Sequence, residues 1–442
     1  MNSERQDRLF ALYRGRCLSD SEFMCHVLQA REILRPIAQA NDRIMNLCED
    51  RYHFLVLFAA AMLEGMITVM PSNQSQGELY RLRKAHPGMQ TVNDDTVMAL
   101  CQGNADAGQP AANLDLIDKL PRDSVVAELY TSGSTGMPTA NAKSWGELVH
   151  GAQRVAERFG LNSSRQHVVI ATVPPQHMFG FEMSVVLPLV AGVAVFHGKP
   201  FYPDDIDQAL QSVPEPRMLV TTPVHLKACM KDHRDWPTID FILSSTAALS
   251  AEVARQAGNV LRAPIREIYG CSEVGAIATR TTNETECWQL LGDFRLVVEN
   301  KNIYLSSSIL AEPLLISDQI GLQQDGTFRL LGRAADLVKI GGKRGSLADI
   351  TIRIKSIVGV EDAVVFLPAT QSGKRERLVA LVVARDLTPG EIRRRLSEDI
   401  DAVFVPRQIY LVARLPYNPT GKLPRSELLA MLAANQKSEQ AC

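Results

Sequence analysis

Apolar residues recur at three- and four-residue spacing through 23–37 and 52–66, the period of a helix that turns one face to a core. Residues 1–115 therefore read as mostly helical. Between about 120 and 280 the pattern changes. Short β-branched runs at 168–172, 193–196, 218–221, 241–244 and 265–269 alternate with helical stretches, and 146–159 is one such helix. This alternation predicts an α/β sheet with helices packed on its faces. From 290 to 332 the runs crowd together, at 294–298, 302–306, 314–316 and 328–331, with Asp325-Gly326 as a hairpin turn between two of them. These predict a small β subdomain. Beyond Gly332-Arg333, strands at 364–366 and 378–383 and a helix at 389–400 predict a compact, smaller α+β lobe.

At 442 residues the chain exceeds one ordinary core, and its change of texture divides it into domains at 1–333 and 334–442. A content of 46% hydrophobic and 22% charged residues is that of a soluble globular protein. The apolar run at 54–63 stops at Glu64 and is too short to span a bilayer. A second run, 183–196, is interrupted by Pro188 and Gly192, so both read as buried core and no membrane span is expected. A net charge of −2 argues against a nucleic-acid partner. Eight cysteines without a C-x-x-C pair or zinc spacing read as free thiols in a reducing cytoplasm, the expected location. The charged first residues lack the apolar stretch of a signal peptide. Residues 336–442 carry 17 Lys and Arg against 12 Asp and Glu, which suits either an evenly solvated surface or a docking face for an acidic partner.

Four segments carry candidate chemistry. Tyr130-Thr-Ser-Gly-Ser-Thr-Gly-Met-Pro138 follows an apolar lead-in (Val125, Val126, Leu129) that reads as a strand. Gly133 and Gly136 let the backbone approach a ligand, and Thr131, Ser132, Ser134 and Thr135 supply hydroxyls, so the loop suits phosphate. Its spacing is not that of the Walker loop, and a Ser/Gly string alone is more often a flexible turn. Tyr269-Gly-Cys-Ser-Glu273 ends a predicted strand, and Glu273 with Ser272 offers the oxygens Mg²⁺ prefers. An exposed Glu after a strand is more often only solvated. Asp318 and Arg333 suit ribose hydroxyls and phosphates, or equally a surface ion pair. Lys422 sits on a Pro/Gly turn in Tyr417-Asn-Pro-Thr-Gly-Lys422, where a solvated charge is the plain alternative.

In this order the segments resemble the adenylate-forming (AMP-binding) superfamily of acyl- and aryl-CoA synthetases, peptide-synthetase adenylation domains and luciferases. The likeness covers roughly residues 50–430. Thr131–Pro138 matches the family's phosphate loop, Tyr269–Glu273 its Tyr-Gly-x-Ser/Thr-Glu motif, and Asp318 its ribose aspartate. Gly332–Arg344 matches the hinge region and Asn418–Lys422 the closing Asn-Pro-x-Gly-Lys. Weaker echoes lie at Leu63–Pro71 and at Pro175-Gln-His-Met-Phe-Gly180. The resemblance implies a large N-terminal α/β domain and a mobile C-terminal domain. It also implies ATP and Mg²⁺ as cofactors, a small carboxylic acid as substrate, and CoA or a carrier-protein phosphopantetheine as acceptor. Lys422 would bridge the carboxylate and α-phosphate, Glu273 and Ser272 would hold Mg²⁺, and Thr131, Ser132, Gly133, Ser134, Thr135 and Gly136 would hold the pyrophosphate. Asp318 and Arg333 would grip the ribose, and Tyr269 and Gly270 would flank the adenine. His177 would gate the substrate side, with a core histidine at a strand end as the alternative.

Several positions depart from the family pattern. Thr139 stands where a lysine usually follows the loop proline, and Lys143 is a candidate to supply that charge. The hinge acid aligns with Ala335, with Asp336 beside it, and Ser244–Ala248 is bulkier than the usual Gly-rich adenine segment. The N-terminal region is shorter than in a typical acyl-CoA synthetase by about the size of a small domain. In length and in Gly342-Lys-Arg-Gly-Ser-Leu347 the chain resembles compact ligases of bacterial aryl polyene and polyketide pathways. The leading expectation is an acid–thiol ligase acting on an aryl or medium acyl acid. The alternative is a non-catalytic nucleotide- or acyl-binding relative. A nucleotide kinase or dinucleotide enzyme is disfavoured, because neither loop it needs is present. The apolar cluster Phe179, Phe181 and Met183 suits a substrate tail or core packing equally.

Overall fold

The computed structural model describes residues 8–101, 114–132, 138–161, 165–232, 234–300, 302–333, 337–340, 343–368, 377–418 and 423–440. By packing, the chain forms two units, residues 1–286 with 290–293, and residues 287–289 with 294–442. The expected border at 333/334 falls inside the second unit, between Phe328–Arg333 and Leu337–Ile340.

The first unit holds two sheets. Eight consecutive strands of the larger run in the order Gly275–Thr281, Ile265–Cys271, Phe241–Ser244, Arg217–Thr221, Val168–Ala171, Ala194–Phe196, Leu9–Tyr13 and Arg16–Ser19. The six central strands are parallel and the outer two pair antiparallel. Val168–Ala171 and Phe241–Ser244 are buried at every residue, which explains why they read as continuous apolar runs without alternation. The smaller sheet runs Gln90–Val92, Arg43–Asn46, Ile67–Met70, Val125–Ser132 and Pro138–Ser144, the last pair antiparallel. The helical expectation for residues 1–115 is therefore corrected. Five short strands lie among its helices Asp20–Ala38, Arg51–Leu63, Gln76–Ala85 and Asp94–Cys101.

Helix Arg51–Leu63 is buried on every side from Arg51 to Met62, so no polar face distinguishes it. Asp50 caps it by accepting the Tyr52 and His53 amides. Phe54 and Phe58 meet the Phe181 ring edge-on at 6.4 and 5.1 Å. Phe181 and Met183 are thus core residues. Pro188 does not interrupt the apolar run as expected. Met178–Phe181 continues through a π-helical turn, Glu182–Val186, into Leu187–Ala191, and only Gly192 ends it. The π turn has already left the i→i−4 ladder that a proline would otherwise break.

In the second unit Arg295–Glu299, Asn302–Ser306 and Leu314–Leu315 form one sheet, and Asp318–Leu322 pairs with Phe328–Arg333 across the Asp325-Gly326 turn. The strand from Asp318 was not anticipated. Leu337–Ile340 and Lys343–Ser346 form a further hairpin. The last sheet is Val360–Phe366, Val379–Ala384 and Gln408–Leu411. Its period of two is visible in the packing. Ala380 and Val382 face helices Leu347–Ser356 and Pro389–Asp399, while Val379 and Leu381 face Leu428 and Leu432 of Arg425–Gln440. Among the described residues no helix is long and apolar enough to cross a membrane.

Helix Trp145–Phe159 starts at a capping box. Ser144 accepts the Glu147 amide at 3.2 Å, and the Glu147 carboxylate accepts the Ser144 amide at 2.7 Å. Ser144→Ala is expected to cost about 1 kcal/mol, read as a lowered midpoint of urea denaturation at unchanged slope.

Candidate active site

Residues 133–137, with Gly133, Ser134, Thr135 and Gly136, lie outside the described residues, as does Lys422. Thr131 and Ser132 end the strand Val125–Ser132 opposite Thr139 and Pro138, so the phosphate-loop candidate joins the two arms of a β-hairpin. A Walker loop, by contrast, joins a strand to a helix. Thr139 is exposed.

The Tyr269–Glu273 motif forms the tip of a second hairpin, at the carboxyl end of a parallel strand. Ile265–Cys271 pairs with Gly275–Thr281, with a bulge between Tyr269 and Gly270. In open α/β sheets ligands bind beyond such strand ends. Glu273 and Gly270 are exposed, and Tyr269 and Ser272 are half-buried. Burial pushes the Cys271 thiol up to about 12, which leaves it protonated and unreactive at neutral pH.

Two charged side chains hold this tip from behind, Lys143 and Glu182, and the second was absent from the candidate set. Lys143 is 2% exposed, and its ammonium donates to the Glu273 backbone carbonyl. Its charge is therefore engaged at the motif turn, from the strand that leaves the candidate phosphate loop. Burial lowers its pKa, while the carboxylates of Glu147, Glu182 and Glu273 favour the charged form. Glu182 is also buried, and its Oε1 accepts the Ala276 amide at 3.2 Å. Gly275 has φ +83°, which favours glycine, and a Cβ there would have to displace the Glu182 carboxylate. The signal for Glu182 was in the sequence, as a single carboxylate in the apolar run from Met178 to Leu189.

His177 precedes helix Met178–Phe181 and is half-buried, and its ring makes no capping hydrogen bond. Its segment is fixed by backbone: Gly180 passes so close to the Pro174 carbonyl that no Cβ fits. Arg51, fully buried, donates to the Ala171 and Val173 carbonyls at 2.9 Å and to Ser184 Oγ, anchoring the approach to this segment. Burial brings its pKa down to about 10, still charged at neutral pH.

In the second unit the antiparallel register sets Asp318 directly opposite Arg333. These two candidates, 15 positions apart in the chain, are cross-strand neighbours. Tyr417, beside the closing motif, donates to Asp362 Oδ2 at 2.8 Å, and Lys355 bonds Asp362 Oδ1 at 2.7 Å.

A metal could be held at the hairpin tip. Among the described residues no three His, Cys, Asp or Glu side chains form a metal-binding group. One exposed carboxylate beside a hydroxyl instead fits Mg²⁺, which keeps waters and takes phosphate oxygens rather than a full protein cage.

Burial pushes the Glu182 carboxyl up to about 7, against the pull of the Ala276 amide and Lys143. Its folded value lies above the ordinary 4.5, so the unfolded chain releases the proton first, and the group's contribution to stability falls as pH rises from about 4.5 to about 7. Glu182→Gln removes that loss. Thermal unfolding between pH 5 and 7 is expected to show the variant gaining on the wild type as pH rises, and a constant difference would contradict this.

The chain matches the AMP-binding enzyme family over residues 2–305 and the AMP-binding enzyme C-terminal domain over residues 353–422. It is 31% identical over 311 residues to a 4-coumarate–CoA ligase of Halorhodospira halophila, which covers 66% of this chain and 73% of that one. ATP-bound MatB from Rhodopseudomonas palustris has the same fold, with a TM-score of 0.81 at 16% identity and 97% of each chain covered. So does o-succinylbenzoate CoA synthetase from Bacillus subtilis, in complex with its acyl-adenylate intermediate, with a TM-score of 0.77 at 18% identity over 96% of this chain and 95% of that one. The expected α/β class, with a large N-terminal and a small C-terminal domain, is borne out. On the strength of these matches the chain belongs to the AMP-binding enzyme family, the adenylate-forming acid–thiol ligases.

Proposed function

We propose that this chain activates an aryl or medium acyl carboxylic acid with ATP and transfers the acyl group to a thiol. The observation that carries the proposal is the exposed carboxylate of Glu273 on a braced hairpin tip, in a family member that also keeps Asp318, Arg333 and Lys422. The aryl preference is supported by the names of two relatives, a 4-coumarate–CoA ligase and an o-succinylbenzoate CoA synthetase.

In the first step a carboxylate oxygen attacks the α-phosphorus, and the bond to the departing pyrophosphate breaks. Two anions must meet, so charge neutralisation dominates the barrier. Lys422 would stand between the carboxylate and the α-phosphate. Thr131, Ser132, Gly133, Ser134, Thr135 and Gly136 would hold the phosphates that leave. Glu273, with Ser272, would hold Mg²⁺, which when bound offsets phosphate charge. Asp318 would accept the ribose hydroxyls with Arg333 beside it, and Tyr269 and Gly270 would border the adenine. In the second step the thiol sulfur attacks the acyl carbon, AMP leaves, and the thiol proton passes to solvent, with His177 on the substrate side. CoA and a carrier-protein phosphopantetheine are the candidate acceptors. The basic balance of residues 336–442 favours the carrier protein, whose docking would weaken as salt rises.

ATP–pyrophosphate exchange across benzoates, cinnamates and fatty acids tests the first step. Exchange is expected with one acid class, and Lys422→Ala is expected to reduce it by about 10²-fold or more. Nucleotide binding without exchange for any acid would favour the non-catalytic alternative. Asp318→Ala is expected to raise the KM for ATP by about tenfold or more through loss of a charged hydrogen bond, with the KM for the acid unchanged.

A further inference from the structure

We infer that Lys143 and Glu182 are positioning residues for Glu273, gripping the hairpin tip at two backbone points so that its carboxylate is presented in one place. The inference rests on the adenylation reading above. An exposed glutamate on a turn has no fixed position of its own, and a site tolerates only small displacements of the groups that hold charge. Here the turn is held on both sides. Lys143 takes the carbonyl of Glu273 itself, and Glu182 takes the Ala276 amide three residues on. Gly275 lies between these grips, with no side chain to hold them apart.

The origin of the two grips matters as much as their geometry. Lys143 comes from Pro138–Ser144, the strand that leaves the candidate phosphate loop. Glu182 opens the π turn that follows the His177 segment, five residues after the histidine. Three segments far apart in sequence thus converge on one turn within the first unit. Bracing of the fold alone would need only apolar contacts at these positions. A buried ammonium aimed at the candidate ligand's own carbonyl, with a buried carboxyl group on the far side of the turn, is a costly way merely to fill space.

The decisive quantity is the preference for Mg·ATP over metal-free ATP, measured by calorimetry on the full chain with Mg²⁺ and with EDTA. Lys143→Met is expected to weaken Mg·ATP binding about tenfold while metal-free ATP binding stays within about twofold. Lys143→Gln, which keeps a neutral donor and is the safer variant for folding, is expected to show a smaller loss of the same kind. In a Glu273→Ala background neither change should reduce the metal preference further, because the effect runs through Glu273. Equal weakening of both forms, or additive losses in the double variants, would mark Lys143 as a structural residue and overturn the inference. A wild-type chain that binds Mg·ATP no better than ATP alone would remove the metal role of Glu273, and with it the reading on which the inference rests.

Discussion

A charge withdrawn from water must be met by fixed partners, and that constraint organises the first unit. Arg51 meets it with two carbonyls and a hydroxyl, Lys143 with the carbonyl of Glu273, and Glu182 with the amide of Ala276. Glu267 meets it with the Arg280 guanidinium, the Thr282 hydroxyl and the Leu249 amide. All four residues are buried, and they tie down strand ends or the turns beyond them. Leaving a buried backbone donor or acceptor without its partner costs about 1–3 kcal/mol. The carboxyl end of the parallel sheet is therefore held by contacts that break only at high cost. Ordinary surface loops lack that restraint.

The sheet was legible in the sequence where burial was complete. Phe241–Ser244 was located to the residue, because a short β-branched run between helical patterns has few other readings. Ile67–Met70 and Arg43–Asn46 were missed, being four-residue strands without alternation beside strongly periodic helices. The strand beginning at Asp318 was missed because Gln319 and Gly321 dilute its apolar pattern. Of the site, the order of motifs could be read, since each pairs an unusual composition with a fixed place in the chain. Lys143 was noticed for its charge, but its contact with the Glu273 carbonyl was not. Sequence distance to Thr139 suggested the phosphate loop, whereas the strand carries its side chain to a turn 130 positions away.

The candidate chemistry is divided between the units. The phosphate and metal candidates, with His177, belong to the first, and Asp318, Arg333 and Lys422 belong to the second. Asp318 and Arg333 are set opposite one another by a ladder. The approach to the closing motif is fixed by Tyr417, whose hydroxyl shares the Asp362 carboxylate with Lys355. Burial and the neighbouring carboxylate hold the Tyr417 hydroxyl above its ordinary range, so it remains a donor to that anchor at any physiological pH.

The contact between Glu182 and Gly275 couples two positions 93 residues apart in the chain. A side chain at 275 is admissible only once the carboxylate at 182 has been shortened or turned away, and the left-handed backbone at 275 resists that exchange as well. The coupling runs one way: a shorter residue at 182 leaves glycine at 275 unstrained, whereas a side chain at 275 needs the carboxylate at 182 to move first.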